Sequence, residues 1–375
     1  MQKKWIFGLA ILALFTTLAG GIWQFRNKGV QSENSKKNHQ SDSAMLQLGH
    51  RLFFDRRLSI NNSRACATCH NPNLGFTDGY KRSIGAWGDL TQRNASPTFN
   101  LAAYTYLTAA DSGIKHAIVQ MNNPLFNEHP IEMGVKGNET KILARLQKDK
   151  AYQNLFHAAF GLTFEQINFT HIKRAISAYE YSIYSYNSKY DAYKNGEEAA
   201  LNSIEKKGMD LFFSSQLGCA NCHGGKNFST PEVVASSGKP MYYFNVGLYN
   251  LYNSNAYPKS DQGLFEKTHA QMDMGCFRVP TLRNLAFTAP YFHDGSAQNL
   301  EDAVDVFLNG GRLIVGGPLA GDGRLNQFKS SLLQPKSLKI EERSALIAFL
   351  MSLTDSSLIK NPYYQNPFTF DETRD

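Results

Sequence analysis

Hydrophobic and polar positions divide this 375-residue chain into stretches of different character. From Trp5 to Phe25, after Lys3 and Lys4, 21 residues run without a charge, long enough to cross a bilayer as a helix. The same stretch fits a secretory signal with a small-residue cleavage site in Thr17-Leu18-Ala19-Gly20, so a retained anchor and a cleaved signal both stand for residues 1–25. Either one exports the rest of the chain. Residues 26–43 are rich in Asn, Ser, Gln and Lys without apolar period and predict a solvated tether.

Beyond residue 43 the helical period takes over. Leu48-Gly49-His50-Arg51-Leu52-Phe53-Phe54 is echoed by Lys207-Gly208-Met209-Asp210-Leu211-Phe212-Phe213, which predicts two related halves that each open on an amphipathic helix. Ile172, Ile176, Tyr179 and Ile183 recur at helical spacing, and Thr163-x-x-Gln166 has the form of a capping box, so a buried connector helix is expected there. Residues 112–121 also read as helical, Leu300, Val304, Phe307 and Leu308 share one helix face, and a last helix is predicted over 340–353. Asn187 to Glu198, with Gly196, reads as a domain junction. Strand signals are scarce and short. The fold is therefore expected to be mainly α, with domains at 44–195 and 196–355 and a C-terminal tail at 356–375.

A composition of 42% hydrophobic and 19% charged residues is that of a globular protein. The formal charge of +7 is not gathered into a basic stripe, so no nucleic-acid partner is expected. Five cysteines are too few to staple a chain of this length, and each must be explained by its neighbours.

Four of them fall in two Cys-x-x-Cys-His pentads, Cys66-Ala67-Thr68-Cys69-His70 and Cys219-Ala220-Asn221-Cys222-His223. Thiols three positions apart reach the two vinyl groups of one haem, and the His that comes next is then placed beneath the iron. A redox dithiol or half of a zinc site are the other readings of such a motif. About one domain's length separates the pentads, consistent with one haem per half. Two covalent haems can carry electrons or do chemistry, depending on whether a sixth position on iron is closed by a strong ligand or left open.

From about Met45 to Leu353 the chain resembles the bacterial dihaem cytochrome c peroxidase family that includes MauG. The resemblance is carried by Leu48-Gly49-x-x-Leu52-Phe53-Phe54-Asp55-x-x-Leu58-Ser59, the two pentads, Arg93-Asn94-Ala95, Glu132-Met133-Gly134, and Pro280-Thr281-Leu282-Arg283-Asn284 through Pro290-Tyr291-Phe292-His293-Asp294-Gly295. Asn127 to Gly134 looks most like the MbnH-like branch, whose members oxidise a tryptophan in a partner protein.

The resemblance implies that the N-terminal haem is the peroxide site, with Glu132 and Gln120 on its distal side. A carboxylate near an open iron can take a proton from one peroxide oxygen and return it to the leaving one. Relatives that need reductive activation carry a His sixteen residues after the proximal His; here that position is Ala86, so the first iron is expected to be open at rest. The nearby His116 and His129 are read as hydrogen-bonded structural residues. The resemblance further implies a calcium ion held by the Asn94 side chain and the carbonyls of Thr288 and Pro290, and a place for His293 near a haem propionate.

Two departures stand out. Relatives place a Trp between the haems where this chain has Ala109, and Trp87 on a nearby loop is expected to be a buried packing residue. The sixth ligand of the second haem, fourteen residues after the His of Tyr-Phe-His-Asp-Gly, falls on Phe307, which cannot ligate iron and reads as core packing. Met272 and Met274 are near enough in sequence to offer a thioether, Met274 being the candidate sixth ligand, although both fit packing roles, and Cys276 reads as a buried, inert thiol. The expected protein is an exported, periplasmic dihaem peroxidase that uses hydrogen peroxide. Its electrons would come from a donor cytochrome or a protein substrate, and residues 5–25 would attach it to the inner membrane if retained. The alternative is a non-enzymatic dihaem electron carrier. Ala86 and Glu132 favour the enzyme, whereas the absent Trp and the absent Tyr or Met favour the carrier.

Overall fold

The computed structural model describes residues 41–232 and 241–368; the expected anchor or signal and most of the tether lie outside the described residues. The tether is shorter than its composition predicts, because residues 41–43 already belong to helix α1, 41–54, where Ser41 Oγ donates to the Ala159 carbonyl at 3.2 Å. Ser41, Asp42 and Ser43 carry no apolar period, so a search for one reads them as loop. No helix among the described residues is long and apolar enough to cross a membrane.

Two helical cores organise the chain. In the first, α1 buries Leu48, Leu52 and Phe53 against α2 (Glu139–Gln147), α3 (Lys150–Phe160) and α4 (Phe169–Tyr181). In the second, α5 (Ser203–Phe213), α6 (Leu300–Leu308) and α7 (Ile340–Ser352) enclose Phe212, Leu300, Val304, Leu346 and Phe349. Among the described residues sheet is confined to two antiparallel pairs of two-residue strands, β1 (Tyr243–Phe244) with β2 (Phe277–Arg278) and β3 (Leu313–Ile314) with β4 (Gly321–Asp322). The fold is mainly α, as the pattern predicts.

The echoed Gly-x-x-Leu-Phe-Phe segments make the same helix crossing. A Cβ on Gly49 would lie 1.9 Å from the Ala175 carbonyl oxygen and 2.9 Å from Tyr179 Cβ; on Gly208 it would lie 1.9 Å from the Ala345 oxygen and 2.8 Å from Phe349 Cβ. Each half thus lays its opening helix directly on the backbone of a partner helix, which only glycine allows.

Several local expectations are corrected. The Thr163/Gln166 box closes a single 3-10 turn, Phe164–Gln166, and α4 starts later, capped by Asn168, whose Oδ1 accepts from the Thr170 amide at 2.9 Å. Ile183 is buried but lies past the end of α4. Of 112–121 only Ala117–Gln120 is helical. Before it, Thr108 Oγ1 donates to the Asp111 carbonyl at 2.7 Å and Asp111 Oδ1 accepts from the Gly113 amide at 2.8 Å, local bonds that compete with helix.

The junction at 187–198 contains a helical turn, Lys189–Lys194, and its Asp191 takes both arms of the buried Arg283 guanidinium at 2.8 Å. This ion pair ties the junction to the second half of the chain. Residues 356–368, marked off in sequence as a tail, return to the first core, where Leu358, Tyr364 and Phe368 are buried and Gln365 offers its carbonyl to His50 Nε2 at 2.8 Å.

Candidate active site

The pentads form two matching cradles. Cys66–Cys69 is one helical turn and Cys219–Asn221 a 3-10 turn, and in each the amide of the pentad's His donates to the carbonyl of the first Cys at 2.9 Å. His70 Nδ1 lies 3.1 Å from the Phe76 carbonyl and His223 Nδ1 3.1 Å from that of Phe228. With Nδ1 holding the proton, each Nε2 keeps its lone pair for a metal. Both Phe residues are buried at positive φ, 62° and 51°, in matching loops closed by the Asn71–Thr77 and Gly224–Thr230 bridges.

Burial pushes the thiols of Cys69, Cys219 and Cys222 up to about 11 and raises that of Cys66 as well. A reactive dithiol is poised by a lowered value, and among the described residues no three His, Cys, Asp or Glu side chains gather into a metal cluster. Neutral thiols beside an imidazole of fixed tautomer fit two thioether links and an axial ligand, so the residues present suit a c-type haem in each half.

Around the first cradle, Glu132 is half-buried, its charge acts on Cys69, and burial pushes its carboxyl up to about 7. Its carbonyl accepts from the amide of the buried Ala86 at 2.8 Å. Gln120 ends its short helix half-buried; among the described residues no hydrogen bond joins its side chain to Glu132. The two segments are nevertheless tied, since Pro124 and Leu125 accept from the amides of Met133 and Val135 at 3.0 and 2.9 Å. His116 and His129 are exposed, and among the described residues neither ring makes a hydrogen bond, which corrects their reading as hydrogen-bonded structural histidines. Trp87 is also corrected. It is 62% exposed, on a loop whose neighbours Tyr80, Ile84 and Leu90 face solvent too.

At the second cradle the ring facing His223 is that of Phe307, with centroids 6.4 Å apart. Phe307 is 36% exposed, so it is not the core residue that the helix pattern predicts. Met274 is packed with Leu248, Tyr249 and Tyr257, and Met272 is exposed. Cys276 is buried, its thiol pushed up to about 12 by burial, in keeping with an inert role. The His293 ring stacks on Phe277 at 3.6 Å, with Nε2 3.9 Å from Asp261 Oδ2.

Between the halves, the Ala109 carbonyl accepts from the Arg278 amide at 2.8 Å, and Arg93 grips Asp261 through two bonds of 2.7 Å. The Asn94 amide donates to the His293 carbonyl at 2.7 Å and its Nδ2 to the Tyr80 carbonyl at 2.8 Å, which sets Asn94 close to the stretch containing Thr288 and Pro290, both buried. Two groups escaped the pattern. Glu180, only 5% exposed, has its carboxyl pushed up to about 8 by burial and acts on Cys66; Tyr249 donates to Asp294 Oδ2 at 2.5 Å. A Glu inside a helix and a Tyr 45 positions from its acceptor carry no local signal.

Two haem cradles on separate helical cores, one with a carboxyl group beside it, define a dihaem c-type cytochrome. A family model of di-haem cytochrome c peroxidases matches residues 43–199. The chain is 31% identical over 339 residues to the cytochrome-c peroxidase IdrP1 of Pseudomonas sp. strain SCT, covering 85% of this chain and 83% of that protein. It is 30% identical over 311 residues to the methylamine utilization protein MauG of Methylorubrum extorquens, covering 82% of this chain and 77% of MauG. A solved structure of a MauG-like protein associated with microbial copper homeostasis is similar throughout, with a TM-score of 0.83, 43% identity, and coverage of 87% of this chain and 93% of that one. This chain belongs to the dihaem cytochrome c peroxidase family. It is an oxidoreductase with two c-type haems, and the carrier reading gives way to the enzyme.

Proposed function

We propose that the chain is an exported, periplasmic dihaem peroxidase in which hydrogen peroxide reacts at the His70 haem and electrons arrive through the His223 haem from a protein. The observation that carries this reading is the pair formed by Ala86 and Glu132: a methyl group where relatives needing activation hold an imidazole, on a residue whose backbone amide donates to the carbonyl of the residue that carries the carboxyl group. Bound haem supplies the iron at which the O–O bond is broken. The protein supplies the proton traffic. A carboxyl group near 7 exists in both forms at neutral pH, so Glu132 can accept the proton of one peroxide oxygen and deliver it to the departing one. Gln120, one short helix away, orients the peroxide in this reading, and His293 faces a propionate.

The protein that gives electrons is a donor cytochrome or, as in MauG and MbnH-like oxidation, a substrate whose side chain is oxidised. Similarity to a MauG-like protein associated with copper homeostasis favours the substrate. Asn94 Oδ1 with the carbonyls of Thr288 and Pro290 offers neutral, hard oxygens suited to calcium at the seam between the halves. Glu132→Gln tests the reading: haem content should stay at two per chain while peroxide turnover falls roughly 10²–10⁴-fold. Full turnover in that variant would move the proton chemistry to another residue.

A further inference from the structure

Among the described residues two buried tyrosines donate to a carboxylate, Tyr152 to Asp55 Oδ2 at 2.7 Å and Tyr249 to Asp294 Oδ2 at 2.5 Å. Other buried or half-buried tyrosines donate to neutral oxygens, as Tyr243 does to Thr108, Tyr257 to Asn245 and Tyr291 to Leu285. The difference matters because a phenol that loses an electron becomes strongly acidic, so its oxidation needs a base at hydrogen-bond distance. Asp55 is a poor one. Arg57 already binds both of its oxygens, and the guanidinium groups of Arg51 and Arg57 stand 5.7 and 5.5 Å from the Tyr152 ring, where they oppose positive charge. Asp294 makes no ion pair with an Arg or Lys among the described residues, although the Arg312 guanidinium also acts on Tyr249. Burial would raise its carboxyl, but the His293 ring, Ser296 and the Tyr249 hydroxyl together hold it below the usual range, so it is ionised.

Tyr249 is 6% exposed and packs with Val306 and Met274, in a cluster that Phe292 also joins. Phe292 lies 6.0 Å from Phe307, and Phe307 is the ring that faces His223. The phenol therefore shares a packed cluster with Phe292, whose ring neighbours that of Phe307 beside the second cradle, and Phe307 itself offers no oxidisable or ligating oxygen.

We propose that Tyr249 is a protein-based oxidation site serving the C-terminal haem, with Asp294 as its proton acceptor. The step rests on the peroxidase reading. Hydrogen peroxide takes up two electrons and two protons to become two waters; Tyr249 supplies one electron, the partner protein supplies the other, and solvent supplies the two protons. Its O–H bond breaks as the proton passes to Asp294 Oδ2, leaving a neutral tyrosyl radical beside a neutral carboxylic acid. One electron from the partner protein, with the return of that proton, restores the phenol and the carboxylate.

Freeze-quench electron paramagnetic resonance of the full-length diferric holoprotein mixed with hydrogen peroxide, with stopped-flow absorbance in parallel, tests the proposal. Wild type should give a tyrosyl signal that narrows on ring-deuteration of tyrosine. Tyr249→Phe should lose it, Asp294→Asn should diminish it, and Tyr152→Phe should keep it, while all four proteins hold two haems and show the same initial Soret change. A Soret change without a tyrosyl signal in wild type, or an undiminished signal in Tyr249→Phe, overturns the proposal alone. No Soret change in wild type overturns the peroxidase reading and this proposal with it.

Discussion

The amide of Ala86 donates to the carbonyl of Glu132 at 2.8 Å, so the loop after the first haem cradle is latched to the loop that carries the proposed proton-transfer group. The latch is reinforced from below: Asn61 Nδ2 donates to the Ala86 carbonyl at 2.7 Å and Arg64 Nε to that of Gly85 at 3.2 Å. In the proposed reading this buried methyl group stands where relatives that need activation would hold an imidazole.

Gly85 leaves that latch no steric slack. A Cβ there would lie 2.0 Å from the Ile131 carbonyl oxygen, a backbone atom that cannot yield without moving Glu132. Gly85→Ala should slow reaction with peroxide roughly 10²-fold, the penalty for displacing a reacting group by about 1 Å, and leave haem content unchanged. Stopped-flow rates indistinguishable from wild type would show that the latch does not position Glu132.

The pH profile is set by the same carboxyl group. Burial raises Glu132 to about 7, and only its ionised form can accept a proton, so kcat/KM for peroxide should rise with pH through about 7 and then level. Glu132→Gln should remove that limb. A wild-type profile flat from pH 5 to 9 would contradict the assignment.

Glu180 predicts a stability effect of opposite utility. Its carboxyl, pushed up to about 8 by burial, stays protonated in the fold after the unfolded chain has ionised, so stability is greatest below the ordinary Glu range and declines as pH rises towards 8. Glu180→Gln keeps the shape without the charge. Its thermal midpoint relative to wild type should be higher at pH 8 than at pH 5; an equal difference at both would contradict the burial argument.

Phe307→Tyr should place a phenol over the second iron. Part of the high-spin ferric signal should become low-spin, as expected when an oxygen ligand joins an axial His. An unaltered paramagnetic resonance spectrum would mean that residue 307 does not stand over that iron, despite facing His223 at 6.4 Å.

What could be read from the chain was what covalent chemistry and helix period impose locally. Cysteine spacing sets the haem cradles, and Leu-Phe-Phe marks the opening helix of each half. The partner surfaces were not readable. Gly49 and Gly208 declare that something approaches closely, but Ala175 and Ala345 carry no mark of being that something. Leu358, Tyr364 and Phe368 obey no period, so their return to the first core is invisible until the fold brings α1 to them. Trp87 misled for a related reason: size and apolarity argue for burial, yet a loop pinned by its backbone can leave its largest side chain in water. The proposed Tyr249–Asp294 couple likewise exists only once two loops meet.

The mechanism stands or falls on whether the first haem is open to peroxide at rest, with Glu132 beside it. Rapid mixing of the diferric full-length protein with hydrogen peroxide, monitored by Soret absorbance, reads this out. An immediate Soret shift without prior reduction is the expected result. A shift that appears only after one-electron reduction of the protein would contradict it and would mean that a side chain such as His116 or His129 closes the iron at rest.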